Sequence, residues 1–218
     1  MNKDTDPPMA QAPPKTPDAR LFSPSAGRNK DFIAEVFCKL MGDCRNIVEI
    51  AAGSGEHAIV ICKANPGLRY FPSDPDPQSR RSIEAWRCHE NMQEQIAAPV
   101  DIDTRQENWI EGFDNMDGIV CINMIHIAPF AACEGLFKGA GKLLPAGGRL
   151  FLYGPFKREG ETAPSNLEFD RSLKSRNPEW GVRDMDRELV PLARDNGLAL
   201  TAICSMPANN HVLIFKKD

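Results

Sequence analysis

The chain has 218 residues, of which 42% are hydrophobic and 26% charged, enough for one α/β domain with a full core and too few for two comfortable ones. Its 26 basic and 30 acidic residues give a formal charge of −4, so no broad cationic surface for nucleic acid is expected. The longest apolar stretches are strand-sized, well below the roughly 20 residues of a membrane span, so no membrane partner is expected either.

The first 20 residues contain five prolines and no apolar segment. We therefore predict a flexible tail over residues 1–20, which is neither a signal peptide nor part of the core, and one domain over residues 21–218. The seven cysteines are spread along the chain without a CxxC pair. This pattern favours a reducing cytoplasmic location and predicts no metal site.

Hydrophobic periodicity predicts alternating helices and strands through the first three quarters of the chain. The predicted helices cover residues 27–41, 56–64, 78–95 and 130–144. The predicted strands cover residues 46–51, 68–73, 97–102, 118–123 and 148–153. Strands that alternate with helices indicate a parallel sheet with helices on both faces.

The end of the chain departs from this alternation. Helices are predicted over 166–176 and 184–196, followed by two strands over 198–205 and 211–216. The short connection at 206–210 makes these last strands antiparallel. A seven-stranded, mostly parallel sheet with an antiparallel C-terminal hairpin is the Rossmann-like arrangement of class I methyltransferases, and NAD-binding domains do not usually end in this way.

A glycine-containing turn follows the first predicted strand, in the segment from Glu49 to His57. The segment resembles the first methyltransferase motif, an acidic residue followed by GxGxG, with Ala51 in the place of the first glycine. The resemblance implies that Glu49 balances the positive methionine end of S-adenosylmethionine while Gly53 and Gly55 line its path. His57 closes the motif and is grouped with the cofactor-binding residues. The alternative is a tight structural turn.

Acidic residues follow the second and third predicted strands. Asp74 stands where doubly wound folds place the carboxylate that accepts hydrogen bonds from ribose hydroxyls. Asp76 is the alternative candidate for this role. In this superfamily the position of Asp101 would hold the adenine amino group. Asp103 and Thr104 beside it are equally suited to capping a short helix, so both interpretations remain open.

The fourth strand is followed by Asn123 and His126, and Tyr153 ends the fifth. Ligands bind outside the carboxyl ends of parallel strands, so Asn123 is predicted to bind the cofactor. The His126 imidazole is a candidate base for an acceptor proton, and Tyr153 is a second candidate catalytic residue. The alternatives are a hydrogen-bonded loop histidine and an amphipathic packing residue.

Several further blocks make the resemblance more specific. They cover residues 22–29, 49–57, 72–74, 123–126, 153–156, 177–184 and 206–210. Together they resemble the methyltransferase-like 26 family, formerly a domain of unknown function, from about residue 20 to the C-terminus. The resemblance suggests that Arg28 and Asn29 bind the cofactor carboxylate, and that the segments around Trp180 and at 209–210 shape an acceptor pocket. A helix start, a cap and a hairpin turn explain the same residues structurally.

The sequence thus predicts an S-adenosylmethionine-dependent methyltransferase with an unidentified small-molecule acceptor. One alternative is a non-catalytic protein that binds the cofactor and acts through a partner. An NAD-dependent oxidoreductase is a further alternative, which the absent GxGxxG spacing and the C-terminal hairpin argue against. A macromolecular acceptor is disfavoured by the acidic charge balance and by the lack of a second domain.

Overall fold

A computed structural model describes residues 18–218, and the first 17 residues of the predicted tail lie outside this range. Six strands form one sheet: β1 Asn46–Ile50, β2 Arg69–Pro72, β3 Gly118–Ile122, β4 Arg149–Pro155, β5 Leu198–Met206 and β6 Asn210–Lys217. Six α-helices accompany them: α1 Pro24–Met41, α2 Glu56–Ala64, α3 Pro77–His89, α4 Phe130–Leu143, α5 Pro164–Arg176 and α6 Val190–Asp195, the last preceded by a π-helical turn, Met185–Leu189.

The strand order is β2-β1-β3-β4-β6-β5. The first four strands in this order are parallel, whereas β6 pairs antiparallel with both β4 and β5. The predicted fold class, a Rossmann-like sheet with an antiparallel C-terminal hairpin, is therefore confirmed. The chain order reverses between β1 and β3, and ligands of doubly wound sheets bind outside the carboxyl ends of the strands at such a reversal.

Each face of the sheet carries its own hydrophobic core, because successive strand side chains point to opposite faces. On the face of α1, α2 and α3, Ile47 and Phe151 are fully buried. On the face of α4 and α6, the buried residues include Ile119 and Phe215. The prediction of helices on both faces is thus confirmed.

The predicted third strand, 97–102, is not a strand in the structure, and the sheet has six strands instead of seven. Two isolated bridges remain of it, Tyr70 with Ile96 and Ser73 with Val100. Pro99 lies between them and has no N–H to donate, which prevents a continuous ladder beside β2. Helix α3 also ends at His89, well before the predicted end, because Asn91 adopts a left-handed conformation with φ 55°.

Helix α1 begins earlier than predicted, at Pro24. Ser23 caps it, since its hydroxyl accepts the Ala26 N–H at 3.4 Å. Pro24 suits the first helical position because proline has no backbone N–H that would be left without a partner there. This early start matters for the site, because it extends the helix over the β1–α2 loop. Within residues 18–218 there is no helix with the length and apolar character needed to cross a membrane.

Candidate functional site

Two cavities open at the carboxyl edge of the parallel strands. The larger encloses about 960 Å³ and is bordered by α1, α5 and the turn between β5 and β6. The smaller encloses about 410 Å³ and is lined by Ala51, Met124 and Trp180 among others. Ile127 lines both, so the two cavities adjoin.

The loop between β1 and α2 has a left-handed backbone at all three positions of the glycine motif. The φ angles are 56° at Ala51, 57° at Gly53 and 89° at Gly55. A Cβ at Gly55 would lie 3.0 Å from the Cα of Ile83 in α3, whereas a Cβ at Gly53 would meet no atom within 4 Å. Close packing against α3 therefore requires glycine at position 55. At position 53 there is open space for a side chain, so only the left-handed backbone favours glycine there.

This difference predicts unequal effects for two matched substitutions. Gly53→Ala should cost about 1 kcal/mol of unfolding free energy, the usual penalty of a left-handed alanine. Gly55→Ala should cost about 2 kcal/mol or more, since it adds the contact with the Ile83 backbone. Urea denaturation of both variants measures the difference. Equal losses would contradict the assigned packing role of Gly55.

Glu49 is buried behind this loop, with 1% of its surface exposed. Neither of its carboxylate oxygens has a hydrogen-bond partner among the described residues. Burial raises the pKa of Glu49 to about 8. The nearby Tyr70 hydroxyl lowers this pKa somewhat, although it does not reach hydrogen-bond geometry, and the charge of Asp74 raises it further. A buried carboxyl group without a partner is costly, so this position suits a ligand that brings a positive charge or a donor.

Asp74 follows β2 and holds the same loop from the other side. Its Oδ2 accepts the Gly53 N–H at 2.9 Å and its Oδ1 accepts the Asp76 N–H at 2.9 Å. Burial raises the pKa of this carboxyl group. A carboxylate has about four acceptor positions, so two remain available. Asp74 is not part of the lining of the smaller cavity, but the next residue, Pro75, is.

The start of α1 is fastened to the start of α2. The Ser23 N–H donates to Glu56 Oε2 at 2.7 Å, and the Lys30 ammonium pairs with Glu56 Oε1 at 3.1 Å. Glu56 stands in the first turn of α2, where a negative charge is favourable. These contacts hold α1 across the β1–α2 loop and bring Arg28 into the wall of the larger cavity.

A small polar cluster lies between α1, α2 and β4. His57 Nε2–H donates to Asn29 Oδ1 at 2.9 Å, and burial lowers the pKa of His57 to about 4, so the imidazole is neutral. Tyr153 and Asn29 both line the larger cavity. Burial raises the pKa of Tyr153, with the Asn29 side chain opposing the shift, so the phenol is protonated at neutral pH.

Asn123 follows β3 with a left-handed backbone, φ 64°, which asparagine tolerates better than most residues. Its N–H donates to the Tyr153 carbonyl at 2.8 Å. This bond joins the carboxyl ends of β3 and β4, and Asn123 lines the larger cavity as a result. The structure therefore brings four of the predicted site residues into the wall of one cavity: Arg28, Asn29, Asn123 and Tyr153.

His126, the candidate base, is fully buried. Its ring lies 5.2 Å from the Phe156 ring, and a Cβ at Gly154 would collide with its Nε2. Neither ring nitrogen has a hydrogen-bond partner among the described residues. Burial lowers the pKa of His126 to about 3. The imidazole is thus neutral and faces protein atoms, while Asn123 and Ile127 on either side of it line the cavity.

We expect His126→Leu to make the protein less sensitive to acid. The folded pKa lies below the ordinary value of 6.5, so the unfolded chain binds the proton first and stability falls as the pH drops below about 6.5. At pH 5 this loss amounts to about 2 kcal/mol in the parent chain and is absent in the variant. Urea denaturation at pH 7 and pH 5 measures it, with the exposed His89→Leu as the control. An unchanged pH dependence in His126→Leu would show that the ring is not buried in the neutral form.

Asp101 does not reach either of the two adjoining cavities. Its side chain is 66% exposed and pairs with the Arg80 guanidinium at 3.2 Å, and it lines a further cavity of about 460 Å³ that shares Ile102 and Asp103 with the smaller one. Asp103 and Thr104 line the smaller of the adjoining cavities in its place. The Asp103 carboxylate accepts Arg105 Nε–H at 2.9 Å, and the pairing with Arg105 lowers the pKa of Asp103.

The segment 177–184 covers the smaller cavity, with Trp180 in its lining. Arg183 fastens this segment to the loop after β3, since its buried guanidinium donates to the carbonyl oxygens of Ile125 at 2.8 Å and Ala128 at 2.7 Å. The Gly181 N–H donates to the His126 carbonyl at 3.0 Å. This role of Arg183 was not predicted from the sequence, because its carbonyl partners are set by tertiary packing.

The larger cavity also has lining residues that were not predicted from the sequence, among them Phe32, Ile127, Phe169 and Arg176. Phe32 is part of the apolar pattern that predicts α1, and only its 48% exposure distinguishes it from a core residue. A sequence signal was available in the spacing of α1, where Phe32 and Arg28 are four residues apart and share one face.

Solved structures that resemble this chain include methyltransferases. An O-methyltransferase family protein from Burkholderia thailandensis matches with a TM-score of 0.76 and 15% identity over 89% of this chain and 57% of its own. The mitomycin 7-O-methyltransferase MmcR matches with a TM-score of 0.75 and 16% identity, over 89% and 54%. Human N-acetylserotonin methyltransferase, solved in complex with S-adenosylmethionine, matches with a TM-score of 0.71 and 13% identity, over 88% and 52%.

The fold is thus that of the class I S-adenosylmethionine-dependent methyltransferases, and the chain spans a little over half the length of these structures. The sequence model of a family described as "Protein of unknown function (DUF938)" matches residues 20–217, and the chain belongs to this family. These comparisons agree with the methyltransferase fold that the resemblance implied.

Proposed function

We propose that this protein is an S-adenosylmethionine-dependent methyltransferase with a small-molecule acceptor, of the methyltransferase-like 26 type. The observation that carries the proposal is the β1–α2 loop. It combines the left-handed Ala51, Gly53 and Gly55 with the unpartnered carboxyl group of Glu49, beside two adjoining cavities. The methyltransferase fold of the structural neighbours supports the cofactor class without identifying the acceptor.

The residues present fit this cofactor. In the proposal its adenosine part occupies the smaller cavity against Ala51, with the ribose hydroxyls on the free acceptor positions of Asp74. Thr104 and Asp103, which line this cavity, take the adenine-binding role that the sequence analysis gave to Asp101.

The methionine part of the cofactor belongs in the larger cavity. In the proposal its carboxylate pairs with Arg28, which lines that cavity, and Asn29 and Asn123 contribute amide groups from the same wall. Glu49 would balance the sulfonium charge from behind the loop, where its own carboxyl group has no partner. The cofactor thus supplies the positive charge that this buried position lacks.

When bound, S-adenosylmethionine would supply a methyl group for transfer to a lone pair of the acceptor. The electrons of the broken carbon–sulfur bond would stay on sulfur, and the acceptor proton would pass to water. The part of the protein is to hold the reactants aligned and to exclude water elsewhere. Tyr153 is protonated at neutral pH and can donate a hydrogen bond to the acceptor. The described lining of the larger cavity has no histidine, lysine or carboxylate, so no proton-accepting side chain contributes.

The burial of His126 also favours the second candidate, a cofactor-binding protein without transfer activity. Release of S-adenosylhomocysteine from S-adenosylmethionine, measured across a library of small hydroxyl, amine, thiol and carboxyl compounds, separates the two. Turnover with an acceptor, lost in Asp74→Asn, supports the enzyme. Binding of the cofactor with no release in any reaction supports the non-catalytic alternative.

A further inference from the structure

The larger cavity is positively charged, although the chain as a whole is negative. Its described lining includes two guanidinium groups, Arg28 and Arg176, and no carboxylate. Neither guanidinium forms an ion pair with a carboxylate of the described residues. A concave site lined by charges of one sign attracts ligands of the opposite sign.

The two cations have separate places in the cavity wall. Arg28 belongs to α1, beside the proposed cofactor site, and is assigned to the cofactor carboxylate. Arg176 ends α5, where its Nε–H donates to the Ser172 carbonyl at 3.3 Å and its guanidinium lies 5.7 Å from the centre of the Trp180 ring. These contacts orient the Arg176 side chain, which is exposed to solvent and remains available to pair with an anion in the cavity.

The same cavity exposes large apolar side chains. Phe32 is 48% exposed, Ile127 47% and Phe169 39%, and all three line it. They come from α1, the loop after β3 and α5, so this apolar surface is assembled from distant parts of the chain. Exposed apolar surface concentrated in a concave site indicates a ligand with an apolar body.

The wall opposite the sheet edge is held in place by the turn between β5 and β6. The Asn166 amide donates to the Asn209 carbonyl at 3.0 Å, and the Asn209 amide donates to the Ser165 hydroxyl at 3.0 Å. Two consecutive left-handed residues, Ala208 and Asn209, shape the turn. These bonds fix α5, with Phe169 and Arg176, against the hairpin, so the apolar and cationic groups are pre-organised.

We propose that the methyl acceptor is a small organic acid with an apolar, flat body, which lies against Phe32 and Phe169 while its acidic group pairs with Arg176. This inference rests on the proposed methyltransferase function, because the assignment of Arg28 to the cofactor leaves Arg176 for the acceptor. The apolar body explains the exposed phenylalanines, and the acidic group explains the uncompensated guanidinium.

Binding of three probes of similar shape tests the charge preference directly. Naphthoate, naphthamide and naphthylmethylammonium are titrated by calorimetry into the full chain saturated with S-adenosylhomocysteine. We expect naphthoate to bind about tenfold more tightly than naphthamide, and the ammonium probe to bind most weakly. Arg176→Gln should abolish the preference for naphthoate, whereas Arg171→Gln, an exposed residue of α5 outside the cavity lining, should retain it.

The outcomes separate this inference from the proposed function. Failure of S-adenosylhomocysteine itself to bind would overturn the proposed function, and the inference with it. Saturation by S-adenosylhomocysteine together with equal binding of the three probes, or preference for the ammonium probe, would overturn the inference alone. A preference for naphthoate that survives in Arg176→Gln would also overturn it, because the anion would then be bound elsewhere.

Discussion

Asp74→Asn should weaken the binding of S-adenosylhomocysteine by roughly 10- to 100-fold. The carboxylate accepts the N–H groups of Gly53 and Asp76, which fix its orientation next to Pro75 of the smaller cavity. In the proposed function its remaining acceptor positions bind the ribose hydroxyls. Hydrogen bonds to a charged acceptor contribute about 1.5–3 kcal/mol, which corresponds to this range of affinity. Asparagine keeps the shape but loses the charge and half of the acceptor capacity.

Asp76→Asn is the matched control for this substitution. Asp76 is exposed and caps α3, where it accepts the N–H groups of Gln78 and Ser79. Asparagine caps helices about as well, so this variant should bind S-adenosylhomocysteine with affinity within about twofold of the parent chain. Calorimetry on both variants gives the comparison, and an equal loss in both, or in neither, would contradict the role assigned to Asp74.

Glu49→Gln should stabilise the free protein by about 3 kcal/mol at pH 7. The carboxyl group is almost fully buried and lacks a partner, and its folded pKa of about 8 lies above the ordinary value of 4.5. At a pH between about 4.5 and about 8, the unfolded chain gives up the Glu49 proton while the folded chain retains it. Stability therefore falls as the pH rises from about 4.5 to about 8, and changes no further above that range.

Urea denaturation between pH 5 and pH 8 measures this effect, with the exposed Glu35→Gln as the control. Near pH 5 Glu49→Gln and the parent chain should have nearly the same stability, and the advantage of the variant should grow toward pH 8. The same substitution should reduce the preference for the cationic S-adenosylmethionine over the neutral S-adenosylhomocysteine. A variant that is less stable than the parent at pH 8 would show that Glu49 has a stabilising partner.

Local sequence features were sufficient to predict the β1–α2 unit. The alternation of apolar and breaking residues predicted α2 with its observed bounds, Glu56–Ala64. The acidic and glycine positions predicted the loop before it, in which Ala51, at the first glycine position of the motif, has a left-handed φ angle like Gly53 and Gly55. These features depend on residues close together in the chain, which explains why the sequence alone was informative.

Positions that depend on tertiary packing were not predictable in the same way. The sequence placed His126 correctly after a buried strand, but the short 3₁₀ turn Met124–His126 directs its ring into the protein. Asp101 was assigned to a strand that Pro99 interrupts. The Arg176 and Phe169 side chains reach the site because the hairpin turn holds α5. Helices α1 and α5 line the same cavity although more than a hundred residues separate them in the chain.

The assignment of the cofactor can be tested by calorimetric titration of the full chain with S-adenosylmethionine, S-adenosylhomocysteine and NAD. We expect both adenosyl sulfur compounds to bind with one site per chain and NAD not to bind. Binding of NAD in their place, or of none of the three, would refute this assignment and leave the methyltransferase fold without its cofactor.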